Sequence, residues 1–296
     1  MTKSIVCFGE VLWDVFPTHK KIGGAPLNVA LRLHALGADV CMISSIGNDE
    51  LGEKLLEFVK GRGLDHKAIQ INEQFKTGKV KVMLDAKGSA TYDIMFPRAW
   101  DHIALSEENK NLVCKSDAMV FGSLVGRGET SRDTLYDLLK LAPYKIFDIN
   151  LREPYYTQGS LEHLMREADF IKFNDDELFE IAGEMGSKYN SIEQNIRFIS
   201  EVTNTTRVCV TKGQHGAVLL YDQKFYYNSG YLVKVVDTVG AGDSFLATLT
   251  YYLLNGEDPQ KAVDYACAVG ALVAQNEGAN PDISAEEIER FVNPYS

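Results

Sequence analysis

Asp237-Thr238-Val239-Gly240-Ala241-Gly242-Asp243-Ser244-Phe245 is the stretch on which the reading of this chain turns. Upstream, Tyr231 to Val236 is a mostly apolar, β-branched run that predicts a strand. Downstream, Leu246, Leu249 and Leu253 recur at helical spacing and predict a helix with one apolar face. The glycines therefore fall at a strand-to-helix turn. Gly240 and Gly242 carry no Cβ, so the backbone can turn tightly and approach a ligand closely. The first amides of a helix lack partners within it and lie at its positive end, which makes such a turn an anion site.

Asp243 puts a carboxylate where an anion would bind, and two readings of it stand side by side. One is a first-turn acid stabilised by the helix macrodipole by ~0.3–1 kcal/mol. The other is a general base that takes a proton from an attacking hydroxyl while the amides hold charge developing on a phosphoryl group. Two glycine motifs are excluded: a dinucleotide loop needs a third glycine where Phe245 stands, and a P-loop needs Gly-Lys-Ser/Thr, which the chain lacks.

The pattern Asp237-Thr238-x-Gly240-Ala241-Gly242-Asp243 resembles the C-terminal signature of the ribokinase-like (PfkB-type) sugar kinases. Gly23-Gly24-Ala25-Pro26-Leu27-Asn28-Val29-Ala30 resembles their N-terminal signature, in the right order and about a family length away. The resemblance implies a single ribokinase-like α/β domain over residues 1–296: a central, mostly parallel sheet flanked by helices, with a small β lid from about residues 11–23 and 75–100. It implies ATP-dependent phosphorylation of a primary hydroxyl on a small sugar. Asp243 would be the base, the amides of Gly240, Ala241 and Gly242 the anion hole, and Mg²⁺ the bridge between phosphates. A helix terminus worth at most ~2 kcal/mol cannot offset a triphosphate alone, so the metal is part of the expectation.

The whole chain is compatible with this. Its 296 residues suffice for one large α/β domain, and 45% hydrophobic with 24% charged residues is ordinary for a globular protein. A net charge of -11 argues against nonspecific nucleic-acid binding and against an anionic membrane surface, yet not against a phosphorylated ligand held locally. Five scattered cysteines without a C-x-x-C pair indicate reduced, buried thiols and a cytoplasmic protein. No signal peptide is read before the first strand, and no run of 18 apolar residues could span a bilayer. Six histidines at unrelated spacings form no metal motif.

In chain order, Ser4–Gly9 reads as a buried strand ending at Glu10, and Asp14 follows where ligands gather beyond strand ends. Pro26 opens a helix that runs to Gly37, with Asn28 in its first turn. A strand from Val40 to Ile46 and a helix through Leu55, Leu56 and Val59 continue a βαβ rhythm. Val80, Val82 and Leu84 alternate with Lys79, Lys81 and Met83, and Ala90, Tyr92, Ile94 and Phe96 with Ser89, Thr91, Asp93 and Met95, around an Asp85–Gly88 turn, which predicts a hairpin with one apolar face. Strands are expected at Asp117–Ser123, Lys145–Arg152, Ala168–Phe173 and Arg207–Thr211. Alternation would turn Asp148, Asn150 and Arg152 to one side, a pattern that resembles fructokinase-type members of the family. Asn174 to Glu177 can be a capping box for the next helix.

The resemblance assigns Asp14 and Asn28 to the sugar, and Gly24 and Arg152 join them on that side; Arg98 is not assigned. Nucleotide contacts fall to Asn174, Thr211, Gly213, Gly216 and Asn276. Glu177 would organise Mg²⁺ through water, and Asp237 with Thr238 would border a K⁺ site. Fructose is the expected sugar; ribose, 2-keto-3-deoxygluconate and a nucleoside stay open. A homodimer through the lids is expected, since an isolated hairpin needs cover for its apolar face. Two other classes are weighed: a nicotinamide oxidoreductase, disfavoured by the missing G-x-G-x-x-G after the first strand, and a non-catalytic sugar or nucleotide sensor on the same fold.

Overall fold

The computed structural model describes residues 2–84 and 90–294. Its strands are β1 (Ser4–Phe8), β2 (Leu12–Val15), β3 (Lys20–Gly23), β4 (Asp39–Gly47), β5 (Ile69–Asn72), β6 (Gly78–Leu84) and β7 (Ala90–Ile94). The second half adds β8 (Ala118–Gly122), β9 (Lys145–Asp148), β10 (Phe170–Asn174), β11 (Arg207–Thr211), β12 (Ala217–Tyr221) and β13 (Lys224–Asn228). Nine of them form one sheet in the order β13-β12-β11-β10-β9-β8-β1-β4-β5. The run from β11 to β5 is parallel, and β12 and β13 close one side antiparallel.

Strands buried on both faces read as near-continuous apolar runs, as β8 does and β1 does after Ser4. Ile5, Cys7, Ile146 and Phe170 point to a core made with helices Ala25–Ala35, Ala241–Leu254 and Pro259–Ala274. Their strand neighbours Val6, Phe8, Phe147 and Phe173 point to the opposite core, with helices Glu129–Leu139, Asp175–Glu184 and Ile192–Thr203. The period-two alternation of a strand thus feeds two cores.

A second sheet, in the order β3-β2-β6-β7, interrupts this rhythm. β2 pairs antiparallel with β3 and parallel with β6, and β6 and β7 are the predicted hairpin. Val80, Val82 and Ile94 are buried within the chain, whereas Phe96, expected on the same face, lies beyond the strand end and is 59% exposed. The Asp85–Gly88 turn and the Leu84 and Tyr92 side chains lie outside the described residues.

Two sequence expectations are corrected, and one hairpin is added. Tyr231–Val236 is no strand: β13 already forms the sheet edge, and only the amides of Val236 and Asp237 reach backbone, both at the Ala274 carbonyl. Leu232 is fully exposed and Val235 and Val236 are 52% and 54% exposed, so β-branching without a partner strand did not make a strand. The glycine turn is therefore loop-to-helix. Next, β9 ends at Asp148, and Asn150 adopts φ 41, so the alternation expected through Arg152 stops. Finally, the β12–β13 hairpin went unread; its signal was Asp222-Gln223, which turns with φ 46 and 73 between two apolar alternations.

Candidate active site

Two helix starts meet at Asp243. Gly240 caps the helix Ala241–Leu254 at φ 77, and a Cβ there would overlap Ala279, so glycine is required twice over. Among the described residues the amides of Gly240, Gly242 and Asp243 have no acceptor, but that of Ala241 donates to the Thr238 carbonyl at 3.2 Å. Ala241, expected in the anion hole, is thus already occupied. The other helix, Ala25–Ala35, begins with Pro26 in its first turn and presents Asn28 one position on from Leu27. Asn28 Nδ2 donates to Asp243 Oδ2 at 2.8 Å, and Asn28 Oδ1 accepts from Asn280 Nδ2 at 2.8 Å. Both ends of the Asn28 amide are engaged, one by the Asp243 carboxylate and the other by Asn280, a role its assignment to sugar did not include.

Beside this junction lies a cavity of about 840 Å³. Gly240, Gly242 and Asp243 form its floor, and Leu12, Val80 and Ile94 of the small sheet form a roof. Among the predicted residues, Asp14, Gly24, Asn28, Arg152, Asn174, Glu177, Thr211 and Thr238 line it as well. Ala241, Gly213, Gly216, Asp237 and Asn276 do not. Gly216 serves the backbone instead: at φ 78 it packs against Asn228 and Gly230 with no room for a side chain. Gly24 has a similar duty, since a Cβ at its φ of 116 would meet the Glu10 carbonyl. Asn276 Nδ2 donates to the Leu272 carbonyl at 2.9 Å.

Burial dominates the electrostatics. It lifts the Asp243 carboxyl to about 6, helped by the charge of Asp148, while the Asn28 bond, Lys172 and Arg152 pull the other way. The same cause lifts Asp14 to about 6, against Arg152 and Lys21. Glu10, which the sequence reading passed over as a strand end, is 3% exposed, lines the cavity, and is lifted by burial to about 7. Its Oε2 has no hydrogen-bond partner. An acid two positions beyond the mostly apolar strand β1 was the available signal. A carboxylate near neutrality, oriented by an amide and facing unpartnered backbone N–H groups, can accept a proton while an anion is held beside it.

Glu177 makes the expected capping box: its Oε2 accepts from the Asn174 amide at 2.8 Å, and Asn174 Oδ1 accepts from the Glu177 amide at 2.8 Å. Its Oε1 also accepts from the Leu151 amide at 2.9 Å, which pins the irregular segment after β9. Asp237 accepts from the amides of Val239 at 3.1 Å and Gly278 at 3.0 Å, and Lys21 Nζ of β3 lies 3.4 Å away. Burial raises its pKa, but these bonds outweigh it and hold the carboxyl low. Among the described residues no cluster of three His, Cys, Asp or Glu is arranged to hold a metal.

The roof is fastened by a cation that sequence reading missed. Arg127 Nε and Nη2 donate to Asp101 at 2.7 and 3.0 Å, and Nη1 and Nη2 donate to the carbonyls of Ile94 and Met95 at 3.2 and 2.8 Å. Its guanidinium stacks 4.0 Å from the Trp100 ring centre. The unassigned Arg98 instead turns to Met95 Sδ and does not line the cavity.

A parallel sheet covered on both faces, two helix starts converging on a raised carboxylate, and a β roof over the cavity define a small-molecule phosphotransferase with a ribokinase-like fold. The family of pfkB carbohydrate kinases matches residues 1–286, and the chain belongs to it. It is a carbohydrate kinase. A putative sugar kinase of Pyrococcus horikoshii is 30% identical over 95% of this chain and 89% of its own. A probable fructokinase-5 of Arabidopsis thaliana is 31% identical over 95% of this chain and 94% of its own. A double mutant of the Vibrio cholerae fructokinase, solved with fructose, ADP and potassium, superposes with a TM-score of 0.84 at 25% identity, covering 98% of both chains. Among the described residues no helix is long and apolar enough to cross a membrane.

Proposed function

We propose that this chain transfers the γ-phosphoryl group of ATP to a primary hydroxyl of fructose, with Asp243 as general base. The observation that carries the reading is Asp243 itself, held by Asn28 at 2.8 Å and placed among unpartnered amides at the cavity floor. Asp14 and Arg152 would bind sugar hydroxyls on one side of Asp243, and Asn174 and Thr211 would border the nucleotide on the other. Fructose draws support from the fructokinase relatives and from the Asp148-x-Asn150-x-Arg152 pattern. All 296 residues would work as one kinase domain, with 11–23 and 75–100 as its lid.

Mg²⁺ and K⁺ complete the proposal. Glu177 and Asn174 offer the hard oxygen ligands that Mg²⁺ accepts, through water because both Glu177 oxygens already receive amides. The ion would neutralise phosphate charge when bound. Asp237 and Thr238 would border K⁺, and Lys21 near Asp237 marks where a cation is welcome. The cysteines, among them buried Cys7, Cys209 and Cys267, are all free, which supports a cytoplasmic location. A homodimer through the lids is supported by Met83 and Phe96, which leave 52% and 59% of their surface exposed there.

The test is ADP release with Mg²⁺ over fructose, ribose, 2-keto-3-deoxygluconate and adenosine, run in K⁺, Na⁺ and choline salts. Fructose should give the highest kcat/KM, and K⁺ the highest rate. A preference of tenfold or more for another acceptor overturns the substrate, and equal rates in the three salts overturn the cation.

A further inference from the structure

Lys172 stands in the middle of β10, the run Phe170-Ile171-Lys172-Phe173-Asn174, where Phe170, Ile171 and Phe173 are apolar and buried. In the parallel pairing with β9 it sits opposite Asp148, and its Nζ donates to Asp148 Oδ1 at 2.9 Å. Both side chains are under a tenth exposed, at 8% and 6%. An ion pair so deep is weak evidence for stability, because hydrophobic residues of similar size often serve as well or better. Its position is the informative part. Lys172 shares a strand face with Phe170, the face covered by the helix that Gly240 caps, and it lines the cavity. A Cβ built on Gly242 would lie 3.6 Å from Lys172 Nζ. The ammonium therefore lies beside Gly242 at the helix start. Asp148 takes one of its three protons, and among the described residues no other acceptor takes the rest.

The local charge balance calls for such a group. Asp148, Glu177 and Asp243 place three carboxyl groups around the point where phosphate charge must accumulate, and Lys172 is the buried cation among them. Lysine is an ammonium at neutral pH, and the 2.9 Å bond to the Asp148 carboxylate pairs that charge where it lies. Arg152, the other cation facing Asp243, is exposed on the sugar side of the cavity.

We propose that Lys172 is a catalytic residue whose ammonium, held by Asp148, donates to a non-bridging oxygen of the phosphoryl group during transfer. The group moves from the donor's bridging oxygen to the acceptor hydroxyl oxygen, whose proton passes to Asp243. Lys172 keeps its protons and changes no bond; it offsets charge on the oxygens as the transition state forms. Preorganisation by Asp148 matters, because a lysine free to rotate would have to be ordered at the moment of reaction.

This rests on the kinase reading of Asp243, so the experiment separates the two. Lys172→Met alone strands Asp148 as a buried charge and can fail to fold. The double variant Lys172→Met/Asp148→Asn removes the pair as a unit, leaves the floor's net charge unchanged, and keeps the proposal testable. With the sugar identified by the acceptor panel, the double variant should lose about 10²–10³ in kcat, the usual worth of one donor in an anion hole. Its KM for ATP should stay within about threefold, and its affinity for ADP with aluminium fluoride, a mimic of the transferring group, should fall by a factor close to the kcat loss. A folded double variant with kcat within tenfold of wild type overturns the proposal. So does a loss that appears equally in ATP affinity and not in the aluminium fluoride complex. Asp243→Asn run beside it reports on the base independently: normal turnover there sinks the base and leaves the lysine result to stand or fall by itself.

Discussion

Asp243, Asp14 and Glu10 have ordinary carboxyl pKa values near 4 when unfolded, and burial lifts them to about 6, 6 and 7 in the folded chain. Below pH 4 both states hold these protons and no stability difference arises. Between pH 4 and 7 the unfolded chain releases them first, so stability falls as pH rises, and above pH 7 the whole cost is present. The cavity is thus a place where the ligand-free protein is less stable at neutral pH than it could be. Asp243→Asn keeps a partner for Asn28 through its amide oxygen but cannot ionise. At pH 7.5 it should be about 1–3 kcal/mol more stable than wild type, a gain that disappears near pH 4. Thermal melts at the two pH values check this. The same variant should lose about 10²–10⁴ in kcat, with ATP affinity unchanged or slightly tighter. Wild-type kcat/KM should fall on the acid side as pH drops through about 6, where Asp243 takes up its proton. A first-turn acid of no catalytic consequence would instead give near-normal turnover.

At the scale of elements, the roof depends on how β7 is tied to the body of the protein. Arg127 is 3% exposed and Asp101 is fully buried, so replacing Arg127 by Met leaves an uncompensated carboxylate and takes a donor from the Met95 carbonyl, while the Ile94 carbonyl keeps only the Tyr155 hydroxyl. The loss should be about 3–5 kcal/mol, measured by urea unfolding. The sugar KM should rise more than the ATP KM, because Ile94, whose carbonyl Arg127 holds, lines the cavity under the roof. Equal changes in both KM values would mean the anchor serves the whole fold and not the roof. Gly240 is the other element-level requirement. A side chain there would have to adopt a left-handed φ and displace Ala279, so Gly240→Ala should disrupt the turn proposed to hold the anion, costing more than the ~1 kcal/mol of φ strain alone. Its readout is loss of ATP binding in calorimetry with the two hydrophobic cores intact by circular dichroism.

For the whole molecule, the expectation of a dimer rested on an apolar hairpin needing cover. Val80 and Val82 are already 5% and 3% exposed within one chain, and Ile94 is 6% exposed, so most of that face finds its cover at home. What a second subunit would bury is the outer surface around Met83 and Phe96. Sedimentation equilibrium at micromolar concentration should give a mass twice the 32.9 kDa of the chain, falling to one copy when both residues are changed to Lys. A monomer in the wild type overturns assembly by this route.

The glycine turn, the two helix starts and the parallel α/β rhythm were legible in the residues alone. Each is a local property: Gly240 supplies a φ that few others can, Pro26 marks a first turn, and apolar strands such as β1 and β8 announce burial on both faces. The same locality misled at Tyr231–Val236, where β-branched residues read as a strand although no neighbouring strand was available to pair with them. Partners distant in sequence were invisible. Asn28 and Asp243 are 215 positions apart, Arg127 and Asp101 are 26 apart, and Lys172 and Asp148 are 24 apart. A single sequence records which side chains can donate or accept, but only the folded sheet decides which of them share a face. Asp243 could be recognised as an acid at a helix start from its neighbours in the chain. That it sits against Asn28, near Lys172 and in a buried setting that raises its pKa is a property of the packing, because burial and charge pairing act through space.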